Sequence, residues 1–266
     1  MPLGWLVERL AAPLARWERA TLRTPEIPVP ITGLAPEFAG YRIALVTDLH
    51  HGPVVPSWWL ERVAQCAAEL SPQLIVLGGD YVSHARSDLR GLDRLLEGFR
   101  APDGVVAVLG NHDHWVGPDL VADVLRRAGV TVLSNRNRMI ERGRAALAIA
   151  GVDDLAHGAV RFDEALEAVP DGVPVVLLSH NPDLVEYLPP GVRIDLMLSG
   201  HTHNGQLHWP VIGPLSVPSQ FGGRYLHGLH RVAHTWLYVS AGVGSAAIPV
   251  RWGNPPELPV LRLDPA

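Results

Sequence analysis

Five short blocks of this chain carry side chains able to hold a metal ion: Asp48-Leu49-His50, Gly79-Asp80, Gly110-Asn111-His112-Asp113, Ser179-His180 and Gly200-His201-Thr202-His203. Each follows a run of large apolar residues, so each sets an acid, an amide or an imidazole where a buried strand stops. The plainest case is Leu74-Ile75-Val76-Leu77-Gly78-Gly79-Asp80, in which two glycines end the strand and Asp80 is displayed at its C-terminal edge. Imidazoles and carboxylates with one amide oxygen suit first-row transition metals such as Mn, Fe, Co, Ni or Zn, and not calcium. A thiolate cluster is excluded, because Cys66 is the only cysteine, whereas there are 13 histidines. One Asp-x-His alone would carry little weight. Five such stops in one chain point to a shared site.

Bringing the blocks together requires strands that end on one edge. Residues 42–48 read as a strand, and Ser57 can cap a helix over 58–70 that stops before Pro72. The next strand covers 73–78, a second helix runs from about 87 to 99, and a third strand, 105–109, leads into Gly110. Asp48, Asp80 and Asn111 are each separated by roughly thirty residues, the length of one βαβ unit. Right-handed crossovers would then place all three loops on the same edge of a parallel sheet. Further on, a helix over 118–128 ends at Gly129, and short strands follow at 130–133 and 145–150. A short helix over 162–169 and strands at 175–178, 195–198, 235–240 and 260–263 complete the pattern. With no clear helical crossover, the second half is expected to form a second sheet built largely from hairpins.

At 266 residues the chain could hold one large α/β domain or two small ones, and the strand-plus-acid pattern, running almost end to end, favours one. With 47% hydrophobic and 18% charged residues it can bury a sizeable core. A net charge of −5 and the lack of any basic cluster argue against a general nucleic-acid binder. Cys66, the sole cysteine, reads as a small core residue within a helix, and no disulfide is possible within the chain.

The first residues differ in character. Leu3, Leu6, Val7, Leu10, Leu14 and Trp17 fall at helical spacing, with Glu8, Arg9, Arg16 and Arg19 elsewhere, and Pro13 would kink a helix there. Glu8 interrupts the apolar stretch, so neither a secretory signal nor a spanning helix is expected. The stripe can pack on the protein's own surface or lie in a membrane interface through residues 1–24. Prolines 25, 28, 30 and 36 then read as an extended connector. The expected organisation is an amphipathic segment and Pro-rich connector over 1–40 and a catalytic domain over 41–266.

Taken in order, the five blocks resemble the calcineurin-like metallophosphoesterase superfamily. The wider match includes Gly78-Gly79-Asp80-Tyr81-Val82, Gly200 to Gln206, Ala241-Gly242-Val243-Gly244 and Ile248-Pro249-Val250-Arg251, and is similar to its bacterial membrane-associated phosphodiesterase branch. The resemblance implies a four-layer α/β/β/α sandwich of two mixed sheets with flanking helices. It implies one metal held by Asp48, His50, Asp80 and His203 and a second held by Asp80, Asn111, His180 and His201. Asp80 would be the shared ligand, a place for a carboxylate with two usable oxygens. The cofactors implied are two divalent transition-metal ions, Mn, Fe or Zn. The activity implied is hydrolysis of phosphodiester or pyrophosphate bonds by a metal-bridging hydroxide. The substrate is a phosphate ester, in the branch a lipid-linked or nucleotide-linked one such as UDP-diacylglucosamine. His112, beside a ligand but not itself assigned to a metal, would donate a hydrogen bond to the phosphoryl oxygen or a proton to the leaving group. The location implied is cytoplasmic, peripheral on the inner membrane where the N-terminal stripe engages it.

Two positions depart from the wider superfamily. Phosphoprotein phosphatases carry an Asp-Arg pair where this chain has Ser83 and His84, which argues against that activity and leaves open what orients His112. Asn204 stands where the branch commonly has a second glycine, and asparagine tolerates left-handed backbone angles, so the turn is expected to persist. Gly242-Val243-Gly244 imitates a dinucleotide fingerprint, but Pro249, Pro255 and Pro256 forbid the helix it would need. His51, His84, His114, His157 and His208 read as surface or packing residues, and Trp58, Trp59 and Trp209 as core residues or as the lining of an apolar groove. The alternatives are a phosphomonoesterase of broad specificity and a non-catalytic protein-binding scaffold. The scaffold is disfavoured because all seven ligand positions carry competent residues.

Overall fold

Buried strands in this chain alternate their side chains between two apolar environments, and that alternation sets the layers. The computed structural model describes residues 21–209, 213–214, 216–246 and 251–266. The amphipathic stripe read over residues 3–17 lies outside the described residues.

The first half contains β1 (Glu26–Ile31), β2 (Tyr41–Val46), α1 (Ser57–Glu69), β3 (Leu74–Leu77), α2 (Leu92–Leu96) and β4 (Val105–Ala107). Then come α3 (Asn111–Val116), α4 (Pro118–Arg127), β5 (Thr131–Val132), β6 (Arg136–Arg142), β7 (Ala145–Gly151), α5 (Phe162–Ala165), β8 (Val175–Leu178) and β9 (Leu196–Ser199). The chain finishes with β10 (His208–Trp209), β11 (Gly213–Pro214), β12 (Gly228–Val232), β13 (Thr235–Val239) and β14 (Val260–Pro265). Two six-stranded sheets result, ordered β1-β14-β2-β3-β4-β5 and β12-β13-β9-β8-β7-β6, with β10 and β11 as a small ribbon.

In β2, Ile43 and Leu45 face the second sheet while Ala44 and Val46 face the helices. The inter-sheet core joins these to Val76, Val106, Leu147, Ile149, Val176 and Leu198. Outside the first sheet, α1, α2 and α4 bury Trp59, Leu60, Val63, Leu95 and Leu125 against Ile75 and Leu77. Outside the second, the 3-10 turn Pro182–Tyr187 and α5 cover Leu177, Met197 and Leu237. The α/β/β/α sandwich of two mixed sheets is therefore the observed fold.

Several sequence expectations are corrected. The stretch read as a connector is an edge strand, β1, pairing in parallel with β14. Its odd-numbered residues face β14, since Val260 N donates to Pro25 O and Ala266 N to Ile31 O, so Pro28 and Pro30 turn their missing N–H groups to the open edge. The second sheet is not largely hairpins: β7, β8, β9 and β13 pair in parallel, and only β6 and β12 at its two edges pair antiparallel. Its crossovers are irregular loops and single turns, which carry no helical periodicity. The helix expected over 87–99 is a 3-10 turn, Arg86–Leu89, followed by α2. Ser57 is the first residue of α1, not its cap: the cap position is Pro56, and Ser57 Oγ lies 3.3 Å from His51 Nε2. Cys66 is half-buried, not core.

All the strands that end at chemistry-bearing loops run the same way within their sheet. β2 and β3 lead to Asp48 and Asp80 and β4 to Asn111, while β8 and β9 lead to His180 and His201. The C-terminal ends of both sheets thus converge on one edge of the sandwich.

Candidate dinuclear metal site

At that edge the backbone itself is strained. Asp48, His50, Asp80, His201 and His203 all adopt left-handed φ values, between 47° and 70°. Such angles cost roughly 1–3 kcal/mol each in a non-glycine residue and persist where the surroundings over-determine them. The surroundings here are main-chain hydrogen bonds that lace the loops together. Asp48 N donates to Gly79 O at 3.0 Å, His50 N to Asp80 O at 3.0 Å, Gly200 N to His180 O at 3.1 Å and Gly244 N to Asp48 O at 2.8 Å. Gly110 and Gly200 lack side chains because a Cβ would collide with the Asp80 and Asp48 carboxylates.

The side chains converge in two groups, which a third set of His50, Asp80 and His112 joins. Asp48, His50 and His203 form one: His50 Nε2 and His203 Nε2 lie 3.0 Å apart, and His203 Nε2 is 3.4 Å from Asp48 Oδ1. Asp80, His180 and His201 form the other: His180 Nε2 is 3.3 Å from Asp80 Oδ2 and 3.1 Å from His201 Nδ1. His50 Nε2 reaches Asp80 Oδ2 at 3.6 Å, so one carboxylate faces both groups. Asn111 lines the same cleft, and its Oδ1 is buried with no hydrogen-bond partner among the described residues. All seven residues singled out as ligands are thus gathered at one place.

A cluster of nitrogen and oxygen lone pairs aimed at each other, with an orphaned amide oxygen beside them, is what a pair of transition-metal ions would satisfy. The electrostatics agree. Burial pushes Asp80 up, but the surrounding His180, His50 and His112 outweigh it and hold the carboxyl well below the usual range. Burial pushes His50 down to about 3 against the pull of Asp80. Burial, reinforced by Arg251, holds His203 low, and burial with His180 lowers His201. These rings stay neutral, the form a ligand needs. His180 is the exception: burial favours its neutral form, yet Asp80 lifts it to about 10. Its Nδ1 donates to Gly78 O at 2.8 Å, so a metal would compete for Nε2.

His112 sits at the junction of cradle and cleft, its Nε2 4.0 Å from Asp80 Oδ2. Its Nδ1 donates to the backbone carbonyl of Ser83, which resolves what orients it in the absence of the Asp-Arg pair. A main-chain oxygen replaces the missing carboxylate, and the tautomer leaves Nε2 facing the cleft. Asn204 keeps the left-handed turn, with φ 48°.

Two residues without an assigned role emerge from the structure. Asp113 is fully buried and accepts from Asp80 N, Tyr81 N and Gly110 N at 2.8–2.9 Å, tying two ligand loops together. Its only sequence signal was its place in Gly110-Asn111-His112-Asp113. Arg251 is fully buried and donates to Gly244 O and Ala241 O at 2.6 Å and to Asn254 O at 3.0 Å, while Asn254 Nδ2 donates to His203 O. It pins the loop over 241–244, which Gly242 and Gly244 allow to press against Asp48, so the glycines that imitated a nucleotide motif serve close packing.

The other candidates scatter. His84 and His157 flank Trp115, His114 Nε2 bonds Asp153 Oδ1 at 2.9 Å, His51 is buried against Asp88, and His208 lies in β10. Trp59 is core, with Nε1 donating to Val243 O at 2.9 Å, whereas Trp58 and Trp209 are exposed.

The model of the calcineurin-like phosphoesterase family matches residues 41–205. The chain is 34% identical over 229 residues to phosphodiesterase YaeI of Escherichia coli, covering 85% of this chain and 83% of that protein. It is 30% identical over 230 residues to the uncharacterized metallophosphoesterase YkuE of Bacillus subtilis, covering 85% and 80%. Among solved structures, the sulfate thiohydrolase SoxB of Thermus thermophilus shares the fold with a TM-score of 0.51 at 17% identity, covering 86% of this chain and 57% of that one.

Proposed function

This chain belongs to the calcineurin-like phosphoesterase family and is a metal-dependent phosphoric ester hydrolase, and from that premise we propose that it is a two-metal phosphodiesterase. Asp48, His50, Asp80 and His203 would hold one divalent cation, and Asp80, Asn111, His180 and His201 the other. Bound there, the cations supply Lewis-acid charge and a nucleophilic water at neutral pH. The chain's own part is to fix that pair through the Asp80 carboxylate and to keep the His50, His201 and His203 rings neutral. His112, oriented by Ser83 O, presents Nε2 to the phosphoryl group or the departing oxygen. Manganese is the metal to load first, with iron and zinc as the competing choices.

One observation favours a diester over a monoester. The cleft over the site, about 430 Å³, has no Lys or Arg among its described lining residues. A monoester dianion is usually met by a cationic side chain, whereas a singly charged diester with two substituents suits apolar walls such as Leu207, Pro218 and Ala246. With manganese, bis(p-nitrophenyl) phosphate is therefore expected to give a higher kcat/KM than p-nitrophenyl phosphate. The reverse order would sink the diester reading and favour the monoesterase.

The apolar wall also supports an apolar, lipid-like substituent, in keeping with the lipid- or nucleotide-linked class that the resemblance implies. No helix among the described residues is long and apolar enough to cross a membrane. Contact with a membrane surface would fall to residues 1–24, and liposome co-sedimentation of the full chain against one lacking residues 1–20 tests it. Equal pelleting would refute membrane contact.

A further inference from the structure

Trp115 occupies the last turn of α3 and is 52% exposed. Three and four residues back along the helix lie His112 and Asn111, so the indole stands on the face that carries the site. It is also held in place. Its Nε1–H donates to His157 Nε2 at 3.2 Å, its ring centroid lies 4.3 Å from that of His112, and the His84 ring lies 6.2 Å away at an interplanar angle of 29°. With His112 it lines the cleft over the metal cradle, whose lining also includes the aliphatic Leu207, Pro218 and Ala246.

An exposed indole ordinarily gives up rotamer freedom when it binds something. One already fixed by a hydrogen bond and by neighbouring rings gives up little, so a flat ring laid on it retains most of the stacking energy. An aliphatic group in the same place gains only burial.

We propose that Trp115 is a specificity-determining platform that selects phosphate esters bearing a flat π-faced ring over those bearing an aliphatic group of the same size. The proposal rests on the phosphodiesterase reading of the same site, because the ring can reach Trp115 only when its phosphoryl group is seated at the cradle beside His112. The ring could be an aryl group directly on the phosphate or a nucleobase one sugar away.

Calorimetric titration of the manganese-loaded full chain with non-hydrolysable phenylphosphonate and cyclohexylphosphonate, equal in size but different in planarity, tests it. The wild type should bind the phenyl compound about fivefold or more tightly than the cyclohexyl one, as ring stacking on an aromatic side chain implies. Trp115→Ala should bring the two constants together, and Trp115→Phe should keep part of the preference. Thymidine 5′-phosphate against 2-deoxyribose 5-phosphate distinguishes the sources. Dependence on Trp115 in that pair assigns the ring to a nucleobase, and dependence in the phosphonate pair alone assigns it to an aryl ester. Equal binding of the two phosphonates by the wild type, a preference that survives Trp115→Ala, a phenylalanine variant with the alanine ratio, or no binding of any compound would overturn the platform. Hydrolysis of bis(p-nitrophenyl) phosphate by the same protein is followed alongside. If hydrolysis persists without ring preference, only the platform falls; if there is no hydrolysis, the phosphodiesterase reading falls with it.

Discussion

Around Asp80 the ligand atoms are fixed through the main chain, whereas at the mouth of the cleft the rings of Trp115, His84 and His157 are held by side-chain contacts. Asp113 gathers three backbone N–H groups from two loops, and left-handed residues lie within a few positions of the strand ends. Trp115, His84 and His157 meet side chain to side chain on the surface. Chemistry that needs two ions at a set spacing is placed where the backbone cannot yield. Recognition of the substituent is placed where a single substitution can change it. His112 belongs to both regions, with its Nδ1 on a backbone carbonyl and its ring against Trp115.

The comparison can be broken first at His112. Removing it as His112→Ala should lower kcat by about 10²–10⁴-fold, the usual contribution of a positioned acid or base, with bound metal per chain unchanged. His112 also lies within ligand distance of His50 and Asp80, so a fall in metal content instead would move it from proton transfer into the cradle.

A smaller effect is expected at Arg251, which supports the cradle from behind. Arg251→Met should weaken metal binding by about 10–100-fold, as loss of a residue that orients ligands typically does, with Arg251→Lys less affected. Unchanged affinity would reduce Arg251 to packing.

The smallest effect belongs to the ion pair of His114 and Asp153. The hydrogen bond to Asp153 raises His114, and Asp154 and Asp113 add to it. Burial pushes Asp153 up, but His114 and the N–H groups of Ala159 and Asp154 outweigh it and leave the carboxyl lowered. A raised histidine contributes stability that is full below 6.5 and lost as pH rises through its folded value, and a lowered carboxylate contributes stability that is present above 3.8 and lost as pH falls through its own. The pair should therefore stabilise most near pH 5. Comparing thermal unfolding of His114→Asn with the wild type, the gap in Tm should be a few degrees at most there and should shrink by pH 9. A gap that widens with pH would contradict the assignment.

The two regions were not equally legible in the sequence. The cradle was readable because its ligands are side chains at the ends of apolar runs, and Asp48, Asp80, Asn111, His180 and His201 each mark one. What fixes them was not, because Ser83 O and the N–H groups held by Asp113 are main-chain atoms that no residue type announces. Arg251 stands in the Ile248-Pro249-Val250-Arg251 stretch of the resemblance, but its role is not legible there, because its partners are main-chain carbonyls. In the fold, the edge strands β1 and β6 carry no clear strand signal. The first is punctuated by prolines and the second, Arg136–Arg142, is too polar to read as buried. The parallel strands of the second sheet are joined by loops instead of helices, so the sequence offers no helical crossover to tell them from hairpins.

The central claim is that one carboxylate, Asp80, ties two metal ions together. It is tested most directly by loading the full chain with Mn²⁺, counting bound metal by equilibrium dialysis and recording the electron paramagnetic resonance spectrum at low temperature. The account predicts two ions per chain with an exchange-coupled signal, and loss of that coupling together with loss of hydrolysis in Asp80→Asn. A single ion per chain, two uncoupled ions, or a variant as coupled and as active as the wild type would contradict it.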